Sequence, residues 1–131
     1  MRFIDKKHEA LYNELCGKMQ YLDCYHRSLA YLLTLDRVLR EHIDSVYDIK
    51  NDNIIPDGLH KAWQTDTSRK TTRLAFNLWS GYCYDGEMYV DEKGYTCDLP
   101  SRRFAVDEIF CCSYAPYYWG AIKLRFELER F

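Results

Sequence analysis

Residues 22–49 read LDCYHRSLAYLLTLDRVLREHIDSVYDI, a stretch without glycine or proline. Leu29, Leu32, Leu33, Leu39, Ile43 and Val46 recur at helical spacing. Asp36 falls on the same stripe, between Leu32 and Leu39. A lone carboxylate buried there would be costly without partners. The spacing therefore predicts a break near Thr34–Asp36, with Thr34 or Asp36 capping a separate helix. A chain that gives this much of its length to helical periodicity is mainly α.

Towards the N-terminus, Asp5 can cap a helix over residues 6–19, with Leu11, Leu15 and Met19 on one face beside Tyr12 and Cys16. Towards the C-terminus, residues 51–58 carry Pro56 and Gly58 and read as a loop. Ser68 then reads as the N-cap of a helix over 69–83, with Leu74, Ala75, Leu78 and Tyr82 on its apolar side and Gly81 near its end. Arg69, Arg73 and Asn77 fall on another face. Met88–Val90 and Tyr95–Cys97 flank Asp91-Glu92-Lys93-Gly94, the pattern of a short β-hairpin closed before Pro100. Asp107 begins a short helix through Ile109 and Phe110. Pro116 fits the first turn of a last helix with Trp119, Ile122 and Phe126 on one face. Residues 122–128 also alternate as a strand would, but helix is the preferred reading. The expected fold is a mainly α, single-domain bundle over residues 1–131, with four or five helices and a small β-hairpin.

Composition narrows the class. A chain of 131 residues with 47% hydrophobic content can bury a core without disulfide or metal staples. Net charge is −2, so no global basic field favours nucleic acid, and nucleic-acid binding is not expected. The charge is unevenly spread: residues 59–84 carry +3 and residues 85–108 carry −4. The N-terminus, MRFIDKKHEALY, has charges where a signal peptide needs an apolar core, and no long apolar run marks a membrane span. A cytoplasmic protein with six reduced cysteines is the expectation.

Most chemistry-bearing patterns have an ordinary explanation. Cys16, Cys24, Cys83, Cys97, Cys111 and Cys112 include no CxxC pair, so neither a zinc site nor another metal site is expected. Sequence places none of His8, His26, His42 or His60 beside a cysteine nucleophile. Asp44 and Asp48, at i and i+4, read as a solvated acidic face. No catalytic residue and no cofactor is assigned.

Two candidate binding sets remain. Trp63, Thr65, Thr67, Ser68, Arg69, Lys70 and Arg73 gather hydroxyls and cations around a helix start, where the helix dipole and free N–H groups favour an anion. A phosphate-bearing ligand would suit them; so would a plain capped helix with a solvated basic face. Among 12 tyrosines, Tyr84, Tyr89, Tyr95, Tyr117 and Tyr118 are candidates for a partner-binding surface. Core packing is the competing account, and it is favoured for Trp119.

Two longer stretches, Trp63–Thr65 with Ser68–Trp79 and Val106–Trp119, resemble an uncharacterised family of small bacterial proteins often carried on phages and other mobile elements. The resemblance runs from about Cys24 to Phe126. It implies no catalytic or binding residue. It does imply a context, in which a small accessory protein acts by contacting a host component. The functional expectation is a non-enzymatic protein that binds and modulates or inhibits a host protein, such as a defence nuclease. The alternative is a binding protein for a nucleotide or other phosphate-bearing ligand at Thr65–Arg73. Oligomeric state is not legible.

Overall fold

The computed structural model describes residues 1–128 and 130. Its axis is α2, Cys24–Leu33. Ser28 through Leu33 are all buried, so this helix has no solvent face along its second half. A helix apolar all round belongs in the middle of a core, and α2 packs against three others. These are α1 (Lys6–Lys18), α3 (Asp66–Ser80) and α5 (Ala115–Phe126). A short α4, Val106–Ile109, lies against α3. The architecture is mainly α, with two small antiparallel two-stranded sheets.

Caps explain the boundaries. The Asp5 carboxylate accepts from the His8 amide, starting α1 as the sequence predicts. Asp23 does the same for α2 through His26 N. Gly81, at φ 74°, ends α3 in the left-handed region.

The break after α2 falls where expected. Asp36 Oδ2 accepts from the amides of Val38 and Leu39 at 2.9 and 2.8 Å, which satisfies the buried carboxylate. The helix expected beyond the break does not form. The chain continues instead as 3₁₀ turns, Leu39–Glu41 and Ile43–Ser45. It then pairs β1 (Tyr47–Asp48) with β2 (Asn53–Ile54) inside the stretch read as helix and loop. Asp44 and Asp48 therefore share no helix face, and Asp48 bonds Asn51 instead. A further 3₁₀ turn, Pro56–His60, leads towards α3.

The hairpin is present and longer than expected: β3 is Tyr84–Val90 and β4 is Thr96–Pro100. Tyr89 faces Cys97 and Val90 faces Thr96. Asp91 Oδ1 closes the loop by accepting from Lys93 N and Tyr95 N, both at 2.9 Å.

The last segment is helical, as preferred, but its buried face is not the expected one. Tyr118 and Ala121 are buried, whereas Trp119 and Phe126 are exposed. The cause lies in α2. Ser28 Oγ donates to Ala121 O, and a side chain at Gly120 would press on the Tyr31 hydroxyl. Small residues at 120 and 121 let α5 sit close to α2, and that turns Trp119 outward.

Candidate functional site

The Thr65–Arg73 set begins at the cap of α3. Thr65, not Ser68, is the N-cap, because its Oγ1 accepts from Ser68 N at 3.0 Å. Ser68 occupies the third helical position and returns the bond, accepting from Thr65 N at 2.7 Å. This reciprocal capping box satisfies two otherwise orphaned donors. Ser68 Oγ also donates to Gln64, which in turn donates to Gly58 O.

The remaining members point elsewhere. Trp63 stacks on His42, with centroids 4.3 Å apart. Thr67 Oγ1 lies 3.3 Å from Thr65 Oγ1 at the rim. Arg69 Nε donates to Leu59 O at 3.0 Å. Lys70 Nζ donates to Cys111 O and pairs with Asp66 across one helical turn. The seven residues are thus divided among separate internal partners. They tie α3 to the 3₁₀ turn before it and to the segment after α4.

Arg73 is the exception in kind. The sequence places it on a solvated face, yet its side chain is only 8% exposed. Its Nη2 lies 3.2 Å from Asp85 Oδ2, and the Asp85 side chain is 2% exposed. Arg103 reaches the same oxygen at 3.4 Å, and His60 Nε2 stands 3.5 Å from Oδ1. The latter distance is too long for a well-formed hydrogen bond. Burial pulls the Arg73 guanidinium below its ordinary value, Asp85 opposes this, and Arg103 and Arg69 add to the lowering.

This cluster sits at the root of the hairpin. The β3–β4 register shifts between Tyr84 and Met88, and the irregular segment contains Asp85 and Gly86, the latter at φ 85°. A bulge of this kind re-aims one side chain out of the strand's alternation. Here it places the Asp85 carboxylate in the body, between α3 and the 3₁₀ turn Arg102–Phe104. Tyr84 packs edge-on against Tyr82, closing the root with aromatic surface.

Beyond that root the ribbon projects. From Glu87 to Val90 every residue is exposed, and the hairpin strands pack chiefly on each other. Strand alternation puts Tyr89, Tyr95 and Leu99 on one face around Cys97. Tyr95 is 66% and Tyr89 47% exposed. The ribbon is also acidic, with Asp91, Glu92, Glu87 and Asp98 against Lys93.

The structure splits the tyrosine set accordingly. Tyr89 and Tyr95 are on the free ribbon, and Tyr84 is at its half-buried root. Tyr118 is fully buried, with its hydroxyl 2.7 Å from Thr71 Oγ1, so it offers no partner surface. Tyr117 is half-buried beneath the Arg2 guanidinium, 5.1 Å from its ring centroid.

One network escaped the sequence reading. His26 is buried with both ring nitrogens facing carboxylates: Asp23 at 2.7 Å from Nδ1 and Asp52 at 2.9 Å from Nε2. Tyr47 Oη donates to the same Asp52 oxygen, and Trp79 packs edge-on to the imidazole. Burial lowers the His26 pKa, but the bonds to Asp23 and Asp52 outweigh it, and the net shift is upward. Asp23 three residues before His26 was the only local signal. Asp52 comes from a distant turn at φ 53° that sequence could not place. Among the described residues, no three His, Cys, Asp or Glu side chains gather as a metal would need. The six cysteines are unpaired, and among the described residues no helix is long and apolar enough to cross a membrane.

These features define a small helical body that presents an anchored, solvent-exposed β-ribbon. The chain belongs to a family of unknown function, DUF6075, whose model matches residues 1–130. No curated protein and no solved structure matches it.

Proposed function

We propose that the protein is a non-enzymatic binding module that docks on a protein partner through the β3–β4 ribbon and thereby modulates or inhibits it. The observation that carries this reading is the exposed Tyr89–Tyr95–Leu99 face on a ribbon that its own body does not cover. An isolated two-stranded ribbon is marginal in water. Here the buried Arg73–Asp85 pair holds it at one end only. Tyrosine supplies large contact area at low entropic cost and is enriched among interface anchors. The free edges of both strands also suit strand addition to a partner's sheet. The ribbon's acidity selects a partner with a basic surface. The resemblance to proteins carried on phages and mobile elements makes a host protein, such as a defence nuclease, the expected target.

The test is affinity capture from host lysate with the wild-type protein and with a Tyr89→Ser/Tyr95→Ser/Leu99→Ser variant. These side chains lie outside the core, so the variant should melt within a few degrees of wild type. The reading expects a partner recovered by the wild type and lost by the variant. Equal recovery by both would remove the ribbon from the interface.

A further inference from the structure

Away from the ribbon, the N-terminal segment, α2 and α5 enclose a half-open cleft of about 740 Å³. That volume lies in the range of small-ligand sites. Its lining combines Arg2, Tyr31, Trp119, Gly120, Lys123 and Leu124. Arg2 and Lys123 are among its lining residues, with Met1 beside them, and among the described residues no Asp or Glu lines it. Glu127 and Arg27 line an adjoining cavity that shares Met1 and Leu124 with this cleft. In a chain of net charge −2, a concave surface with cations alone is a local exception.

The walls of this cleft are held in place. The Tyr31 hydroxyl donates to Arg2 O, Phe3 packs on Tyr12, Tyr31 and His8, and Ile4 N donates to His8 Nδ1. The Arg2 guanidinium is braced over the Tyr117 ring. At position 120 an added Cβ would stand 3.2 Å from the Tyr31 hydroxyl, so glycine keeps the back of the cleft clear. Trp119 borders it with an indole that is 41% exposed. Exposed tryptophan leaves a large apolar face in water, and a stacked ring would cover it.

We infer that this cleft binds an anionic ligand with a planar aromatic ring, of the nucleoside monophosphate class, the ring stacking on Trp119 and the phosphate held by Arg2 and Lys123. This moves phosphate recognition away from the α3 start, where the hydroxyls bond one another and Gln64 while the cations are held by Leu59 O, Cys111 O, Asp66 and Asp85, and it is independent of the ribbon reading. Arginine and lysine supply charge-assisted hydrogen bonds to phosphate oxygens, and indole stacking tolerates any base.

The full-length protein is titrated with AMP, GMP, adenosine and inorganic phosphate, following tryptophan fluorescence and melting temperature. AMP or GMP should quench fluorescence and raise the melting temperature, with adenosine and phosphate each binding at least tenfold more weakly. Trp119→Ala and Lys123→Gln should each weaken nucleotide binding at least tenfold while leaving the ligand-free melting temperature unchanged, because neither side chain is in the core. No response to either nucleotide overturns the inference. So does a response that survives both substitutions, or phosphate binding as tightly as AMP.

Discussion

His8 and His26 are both buried, yet their surroundings shift their pKa values in opposite directions. His8 Nδ1 accepts from Ile4 N, and Nε2 lies 2.8 Å from Tyr31 O, which fixes a neutral ring with its proton on Nε2. Desolvation lowers its pKa below the ordinary 6.5 despite the Tyr31 carbonyl. The stability it contributes is complete above pH 6.5 and is lost as pH falls through the lowered value. For His26 the net shift is upward, against the pull of burial, through Asp23 and Asp52. Its contribution is complete below pH 6.5 and is lost as pH rises through the raised value. The two losses therefore fall on opposite sides of pH 6.5, and together they place a stability maximum near it in the wild type. Urea denaturation between about pH 5.5 and 7.5 should separate them. His26→Gln should lose stability on acidification, and His8→Gln should gain it; changes of the same sign in both would contradict the assignment. Arg73 gives a second residue-scale prediction. Its removal leaves the buried Asp85 carboxylate only its longer contacts to Arg103 and His60, so Arg73→Ala should cost about 3 kcal/mol, as for other broken buried pairs. Arg102→Ala, on an exposed pair with Asp107, should change little. Equal effects would mean that the Arg73 pair is solvated.

At the scale of elements, the ribbon should be separable from the body. None of the buried core residues comes from β3 or β4. Replacing residues 87–98 by a short Gly-Ser turn, with Asp85 retained, should leave helical circular dichroism intact and shift the melting temperature by only a few degrees. Loss of cooperative unfolding would show that the ribbon belongs to the core. The same separation explains what sequence could reveal. α1 and α3 were legible as helices from an apolar stripe joined, for α1, by the Asp5 cap and, for α3, by a terminal glycine, although α3 starts at the Thr65 cap rather than at Ser68. Residues 38–60 were not. Leu39 and Val46 keep the helical stripe and are fully buried, but the backbone beneath them is 3₁₀ and short strand. Periodicity reports which side chains are buried, not which backbone hydrogen bonds form. α5 was legible as a helix but rotated, since close approach to α2 at Gly120 and Ala121 outweighed the larger apolar area of Trp119. Of the two candidate sites, the ribbon tyrosines were visible as an excess of aromatics in an acidic segment. The fate of the α3 polar groups was not, because the carbonyls of Gly58 and Leu59, which hold Gln64 and Arg69, are brought there by the packing of the 3₁₀ turn on α3.

Over the whole molecule the charges are separated rather than mixed. Tyr84–Pro100 carries five acidic residues and one lysine, so the body bears a small positive excess while the chain nets −2. Asp85 is neutralised at the root by Arg73 and Arg103, which leaves the acidity concentrated on the outer ribbon. Such an arrangement steers a basic partner towards the ribbon and repels acidic polymers from it. Association with the partner should therefore slow as salt rises, by about tenfold between 0.05 and 0.5 M, while dissociation changes far less, because screening acts on encounter more than on the docked aromatic face. Glu87→Lys/Glu92→Lys should reduce the association rate at low salt and flatten its salt dependence, whereas Tyr89→Ser should speed dissociation. Surface plasmon resonance with the captured partner reads both rates. If the charge reversals left the association rate and its salt dependence unchanged, the acidity of the ribbon would have no part in partner choice, and aromatic contact alone would have to account for it.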